Sequence, residues 1–220
     1  EPAARRDRLI AAEAERLKTH PRGPVIAAGS TGSMPATARF LHAITRLPMG
    51  AVVLPGLDTD LDDAAWASIG GDAASGAAPV WSHPQFALHH LLTDVFRIAR
   101  RDVITLTEPA PHGREVLVSE AMRPAGASAE WHARLKVPDI ARRIDAGMSG
   151  LTAIAAANPE AEALAIAAAM REAVEDHRTA ALVTPDRALA RRVMAALGRW
   201  NLAFDDSGGD SLMDTPAGLF

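Results

Sequence analysis

A small turn between an apolar run and a helical segment holds the first residues that could do chemistry. Residues 24–41 read PVIAAGSTGSMPATARFL, in which the apolar run Val25–Ala28 ends at Gly29. A strand, a glycine-rich turn and a helix in this order are typical of phosphate sites, because free N–H groups at a helix start attract anions. The turn lacks the lysine of a P-loop and does not complete a dinucleotide-binding glycine triplet. It therefore predicts a tight turn, with an anion or nucleic-acid contact as the open alternative.

An acidic stretch, LPGLDTDLDD, is the second candidate for chemistry. Asp58, Asp60 and Asp62 alternate as they do in a calcium-binding loop. The Gly and the Glu that an EF-hand loop also requires are replaced by Asp63 and Ile69. Carboxylates at a helix start also cap the helix and interact favourably with its dipole. The stretch therefore predicts a capped helix start rather than a metal site.

Other catalytic patterns are missing from the sequence. The eight histidines are scattered without the spacing of a zinc site, and no G-x-S-x-G segment is present. The chain has no cysteine, which excludes thiol catalysis, disulfides and thiolate metal sites. Thr184–Arg187 (TPDR) follows an apolar run, so Asp186 is expected to cap a helix and Arg187 to project from its first turn. Contact between Arg187 and a phosphate or a partner is the alternative to a purely structural role.

The elements that would position these residues alternate between short apolar runs and amphipathic segments. Helices are predicted over 3–19, Pro35–Leu47 (capped by Ser33), Pro84–Arg97, Pro159–Val174 (capped by Asn158) and Arg187–Leu197. Strands are predicted at Val25–Ala28, Ala51–Leu54, Asp102–Leu106, Glu115–Ser119, Thr152–Ala156, Thr179–Val183 and Leu202–Phe204. This alternation predicts an α/β fold with a parallel sheet, in two units joined by the irregular stretch 126–150.

The composition is that of a globular chain without a strong charge field. The 220 residues are 48% hydrophobic and carry a net charge of −4, so no global basic surface draws the protein to nucleic acid or lipid. No apolar run approaches the ~20 residues of a membrane span. The absence of cysteine is compatible with a reducing cytoplasm. Because the chain begins at Glu1 and ends at Phe220 in an apolar run, we expect an internal piece of a larger protein.

Four stretches together resemble a known family. They are VIAAGSTGSMPATARFLHAITRLPMGAVVLPGLD, HPQFALHHLL, VSEAMRPA and TAALVTPDRALARRVMAALGRWNLAFDDSGGD. They resemble the AddB subunit family of the bacterial AddAB helicase–nuclease, in its alphaproteobacterial form. The resemblance extends over 23–220 with the stretches in the family's order, and VLPGLD and LVTPDR stand at the expected separation.

The resemblance implies a fold and a domain organisation. The family is similar to superfamily 1 helicases, so α/β units of RecA-like (P-loop NTPase-like) type with parallel sheets are expected, in a degenerate helicase core. Residues 1–22 would lead in from an upstream subdomain, and 23–125 would be the later part of the first RecA-like domain. Residues 126–150 would be an irregular connection, and 151–220 the start of the second RecA-like domain.

The resemblance also implies that the nucleotide site is degenerate. In an active relative the first of these strands ends in an Asp-Glu pair that holds Mg²⁺ and orients the attacking water. Ala28, Gly29 and Ser30 stand at that place and supply no carboxylate. In the next turn Pro55–Asp58 replaces a Gly-Asp…Gln motif, which makes Asp58 the fourth degenerate position. Without these acids phosphoryl transfer loses its metal and its positioned water, so no catalytic and no metal-binding residue is predicted.

The implied function is that of a non-catalytic, helicase-like scaffold segment in DNA double-strand break repair. The implied partners are the AddA subunit and double- and single-stranded DNA in the bacterial cytoplasm, with no membrane. Mg²⁺ and an iron–sulfur cluster would belong to a nuclease domain of the parent protein, outside this chain. The candidate DNA or partner contacts are Ser30, Thr31, Ser33, Arg123 and Arg187. A stand-alone α/β nucleotide-binding enzyme and a pure protein-interaction module are the alternatives.

Overall fold

The computed structural model describes residues 1–20, 23–72, 74–107 and 113–209. The protein is mixed α/β and mostly helical, and the sheet of the described residues has two parallel strands. The chain divides into two compact units, Glu1–Gly150 and Leu151–Phe220. Among the residues described, no helix is both long enough and apolar enough to cross a membrane.

The first unit contains both strands and most of the helices. The strands are β1 (Val25–Ala28) and β2 (Gly50–Val53). The helices are α1 (Pro2–Thr19), α2 (Pro35–Thr45), α3 (Asp63–Ile69), α4 (Phe86–His90), α5 (Arg114–Ala121), α6 (Trp131–Arg134) and α7 (Pro138–Met148). Helix α4 continues as a π-helix over Leu91–Phe96, and 3₁₀ turns cover Arg100–Asp102 and Ala125–Glu130.

The β1–α2–β2 segment is the part of the fold that sequence patterns predict best. The strands pair in parallel from Val25 opposite Gly50 to Ala28 opposite Val53, which confirms the predicted parallel pairing. The prediction that Ser33 caps α2 is wrong. Met34 occupies the N-cap position with extended backbone, and no side chain caps this end. Pro at the first position of the helix lacks an N–H, which leaves one donor fewer to satisfy.

Five of the predicted strands are not formed. Glu115–Ser119 lies inside α5, because the buried residues Val116, Ser119 and Glu120 have helical spacing that outweighs the apolar run. The predicted strands at 102–106, 152–156, 179–183 and 202–204 contain no strand residues in the structure. Ile104 and Val183 are 84% and 93% exposed. An apolar run becomes a strand only when another strand accepts its hydrogen bonds, and these segments have no such partner among the described residues.

Two apolar clusters stabilise the first unit. The first, which we call the Trp66 cluster, joins α3 to the π-helix through Leu61, Ala65, Trp66, Ile69 and Leu92. The second places Leu41 of α2 against Leu91 of the π-helix, with Ala27 and Val52 of the two strands packed on it. The loops that follow β1 and β2 therefore both pack against the same π-helix.

The second unit is built on α8 (Pro159–Glu175) and α9 (Arg187–Gly198), which pack through small and branched side chains. The buried residues of this contact are Ala163, Ala167, Val193, Ala196 and Leu197. Both predicted N-caps are confirmed. Asn158 Oδ1 accepts the Ala161 N–H at 2.8 Å, and the Asp186 carboxylate accepts two N–H groups of the first turn of α9.

Candidate functional site

The turn after β1 owes its glycines to backbone geometry and packing. Gly29 and Gly32 have φ of +81° and +65°, a region that side chains disfavour. A Cβ at Gly32 would lie 2.9 Å from Leu91 Cδ1, so this position also lies against the π-helix. The Ser30 hydroxyl oxygen accepts the Gly32 N–H at 3.3 Å. The conformation of the turn is thus held by packing against the π-helix and by its own hydrogen bond, without any ligand.

The loop after β2 uses its first carboxylate to hold its own backbone. Asp58 Oδ1 accepts the N–H groups of Asp60 and Leu61, each at 2.9 Å. The side chain of Gln85 contacts the same loop, accepting the Asp58 N–H at 3.1 Å and donating to the Gly56 carbonyl at 2.9 Å. A nucleotide-bound Mg²⁺ does not fit these residues, because the turn after β1 offers no carboxylate and Asp58 is already engaged.

Arg100 fixes the middle of the same loop. Its guanidinium donates to the carbonyl oxygens of Asp58 and Leu61 at 3.0 and 2.6 Å and to the Asp63 carboxylate at 3.0 Å. The guanidinium also lies 4.9 Å from the centroid of the Trp66 ring, at cation–π distance. One cation therefore supplies hydrogen bonds to a loop whose carbonyls would otherwise lack partners.

A buried ionic group, which we call the Arg123 cluster, lies at the end of the loop. It consists of Glu120, Arg123, Asp62 and Arg134. Arg123 is 2% exposed; it donates to Asp62 Oδ2, and its Nη1 lies 3.6 Å from Glu120 Oε2. Arg134 Nε donates to Glu120 Oε1 at 2.8 Å. The exposed carboxylate of Glu130 also lies 3.8 Å from Arg123 Nη2, so carboxylates surround both guanidinium groups.

Asp62 also belongs to the helix that follows it. Its Oδ1 accepts the Ala65 N–H at 2.9 Å and thereby caps α3, which confirms the capping interpretation of the acidic stretch. Burial raises the pKa of Asp62, but the Ala65 N–H and the Arg123 guanidinium outweigh it and hold that pKa below its ordinary value. The hydrogen bond from Arg134 to Glu120 raises the pKa of Arg134. The ion pairs therefore favour the charged forms of Asp62 and Arg134.

Asp60, another carboxylate of this loop, forms an ion pair with helix α7. Arg143 of α7 donates to Asp60 Oδ1 at 2.9 Å. Carboxylates of the acidic stretch are thus paired with arginines from three separate parts of the chain. No group of histidine and acidic side chains with the geometry of a metal site occurs in the part of the chain that the structure describes. These ion pairs hold separate segments of the first unit together.

The predicted contact residues lie in different surroundings. Ser30 and Thr31 are partly buried in the turn after β1 and Ser33 is exposed, whereas the Arg123 side chain lies inside the Arg123 cluster. Arg187, in the second unit, donates to both oxygens of the Asp206 carboxylate, at 3.1 and 2.7 Å. This pairing lowers the pKa of Asp206 to about 2. Contact of these residues with DNA or with a partner stays a prediction.

Sequence reasoning missed the pairing of the acidic stretch with arginines. The paired residues are 61 positions apart for Asp62 and Arg123 and 83 apart for Asp60 and Arg143. The run of aspartates and the abundance of arginine were visible, but no local rule assigns one arginine to one aspartate over such distances. Arg123 itself was singled out, though as a contact for an external partner.

A comparison with protein-family models, with curated proteins and with solved structures finds no match for this chain. The resemblance described above therefore depends on the quoted stretches alone. What it implies about function is a proposal, which the geometry of the two strand-end loops can support.

Proposed function

We propose that this chain is a non-catalytic, helicase-like scaffold segment of an AddB-type subunit of a bacterial helicase–nuclease that repairs DNA double-strand breaks. The observation that carries the proposal is the state of the two strand-end loops. The turn after β1 has no carboxylate, and Asp58 after β2 accepts two backbone N–H groups instead of serving a nucleotide. A helicase core with these loops keeps its βαβ geometry but lacks groups for ATP hydrolysis.

Within the proposed complex the segment shapes the DNA channel and the interface with the AddA subunit, in the cytoplasm. ATP-driven unwinding is assigned to AddA. Mg²⁺ and the iron–sulfur cluster are assigned to the nuclease domain of the parent protein, since this chain has no cysteine to ligate iron. The RecA-like identity of the two units is part of the proposal. The order β1–α2–β2 and the helices α8 and α9, each preceded by an apolar segment, support it.

Nucleotide binding tests the non-catalytic character. The chain is titrated with a fluorescent ATP analogue in the presence of Mg²⁺, with purified AddA as the positive control. We expect no saturable binding by this chain. Saturable micromolar binding that is lost in Asp58→Asn would contradict the proposal and favour the nucleotide-binding enzyme. Co-purification of the parent AddB-type subunit with AddA tests the scaffold role in the same preparation.

DNA contact is tested at Arg187, whose side chain is about half exposed. In the intact complex, Arg187→Ala should weaken DNA binding or change the cutting pattern. Arg178→Ala is the matched control, because Arg178 is an exposed arginine paired with Asp176 in the same unit. Ser30→Ala tests the turn after β1 in the same assay. Unchanged affinity and an unchanged cutting pattern in both test variants would remove DNA contact from the proposal.

The charge distribution favours a second candidate, a pure protein-interaction module. The first unit has 17 acidic and 17 basic residues, so its formal charges cancel. A nucleic-acid binder usually presents a basic face, and its affinity falls steeply with added salt. An affinity of the complex for DNA that is the same with and without this unit's exposed arginines would favour the module.

A further inference from the structure

We propose that residues 113–148, which we call the helical flap, open from the rest of the first unit as one body, and that the ion pairs of the Arg123 cluster hold the flap closed. The flap contains α5, α6 and α7 with the 3₁₀ turn between α5 and α6. The inference is independent of the proposed function, since it concerns the mechanical organisation of this chain.

The contacts that the structure describes between the flap and the remainder of the unit are mainly polar. Arg123 and Arg134 pair with Asp62, and Arg143 pairs with Asp60. His83 Nε2 lies 2.8 Å from the Met122 carbonyl oxygen and donates to it. A junction of this kind is held by charge pairing and hydrogen bonds rather than by a continuous apolar core.

The apolar contribution of the flap to the described clusters is small. Of the side chains in the Trp66 cluster and around it, Ala127 is the one that comes from the flap. The cluster that joins α2 to the π-helix includes no residue of the flap. Because apolar burial is the main favourable term in folding, the flap is less strongly tied to the strands than α2 and α3 are.

The flap has close internal packing of its own. A Cβ added at Gly147 of α7 would lie 2.9 Å from the carbonyl oxygen of Gly113 and 3.2 Å from Leu117 Cβ. Gly113 in turn lies so close to the Arg143 carbonyl that a Cβ there would be 2.5 Å from its oxygen. Helices in such close contact move together more readily than they separate. The contacts between the flap and the rest of the first unit are therefore weaker than the contacts among the helices of the flap.

Opening would change what the unit exposes. The Arg123 guanidinium, now 2% exposed, would reach solvent together with Asp62. The edge of the Trp66 cluster that Ala127 covers would also be uncovered. Glu120 Oε2 and Arg123 Nη1, which lie 3.6 Å apart within the flap, would move with it as a pair.

Hydrogen exchange measured by mass spectrometry tests the inference with Asp62→Asn. Asn keeps the side-chain oxygen that caps α3 and removes the charge that pairs with Arg123. We expect amides of α5 and α7 to exchange on the order of 10- to 100-fold faster, a range below that of a fully buried pair because Asp62 is 31% exposed. Amides of β1 and α2 should change much less, and those of α8 and α9 provide an internal reference.

Arg142→Met is the matched control, since Arg142 lies on the flap but forms its ion pair with Asp139 on the protein surface. It should leave exchange in α5 and α7 unchanged. If Asp62→Asn does not fold, the unaltered chain is measured at rising urea below its unfolding transition. Exchange of the flap in a separate, less stable step than β1 and α2 supports the inference. A single step shared by the flap, β1 and α2, or exchange that Asp62→Asn does not alter, would overturn it.

Discussion

A methyl group placed at Gly32 should destabilise the first unit by a predictable amount. The backbone at Gly32 has φ of +65°, which costs an alanine about 1–2 kcal/mol. The new Cβ would also lie 2.9 and 3.1 Å from the two Cδ atoms of Leu91, which is fully buried and cannot move into solvent. Overpacking of this kind costs about 1–3 kcal/mol. Gly32→Ala should therefore lower the free energy of unfolding by about 2–5 kcal/mol.

Gly29→Ala is the control, since Gly29 has φ of +81° in the same turn but would place its Cβ in open space. It should lower the free energy of unfolding only by the cost of placing an alanine at positive φ, about 1–2 kcal/mol. The effect of either substitution on the unfolded chain is the same and cancels in the comparison. Urea unfolding is followed by tryptophan fluorescence in a Trp200→Phe background, so that the remaining tryptophans report on the first unit.

Leu91→Ala separates the cost of the positive φ from the cost of the contact with Leu91. In that background the contact with the new methyl group is removed, so Gly32→Ala should cost no more than Gly29→Ala. The difference between the two backgrounds is the coupling energy of a double-mutant cycle. Equal destabilisation by Gly32→Ala with and without Leu91 would refute the argument that the π-helix supports the turn. Equal costs of Gly32→Ala and Gly29→Ala would refute it as well.

Three further predictions test other parts of the structure. Gly147→Ala should lower the melting temperature and reduce the free energy of unfolding by about 1–3 kcal/mol, because its Cβ would meet backbone at the start of α5. Gly198→Ala is the control: its Cβ meets nothing within 4 Å, so this substitution should not destabilise the protein. Arg100→Met should lower the free energy of unfolding by about 1–3 kcal/mol, because it leaves two loop carbonyls without their donor. NMR titration should give a carboxyl pKa of about 2 for Asp206 that rises in Arg187→Met but stays below its ordinary value, because the Gly208 N–H still donates to this carboxylate. Since the folded pKa is lowered, this pair stabilises the protein above the ordinary pKa of aspartate, and the contribution is lost as the pH falls toward 2.

Elements that depend on local rules were predictable from the sequence. The strand Val25–Ala28 and the helix that starts at Pro35 follow from an apolar run, a glycine turn and a proline at the first helical position. The caps Asn158 and Asp186 follow from the preference of short polar side chains for the N-cap position. The Ser33 cap failed by one residue, because the structure starts the helix after Met34 and local rules do not fix a boundary so finely.

Elements that depend on partners could not be predicted. The run Thr179–Val183 is largely apolar, as β1 is, yet it is not a strand. The reason is that β1 has β2 beside it, whereas this run has no strand beside it among the described residues. The same limit applies to the acidic stretch. Its local role, the cap that Asp62 provides for α3, was visible in the sequence. Its pairing with Arg123 and Arg143 was not, since it arises only when distant segments meet.

The ion pairs give the acidic loop a structural role. A divalent cation bound at the oxygens of Asp60 and Asp62 that now accept hydrogen bonds from Arg143 and Arg123 would compete with those arginines. Removing Asp62 from Arg123 would leave the buried guanidinium without that partner, a cost that is moderated because Asp62 is 31% exposed. Cation binding at Asp62 would therefore oppose closure of the helical flap. A loop whose acids pair with internal arginines stabilises the position of its helices, and this is the property that the proposed scaffold role requires.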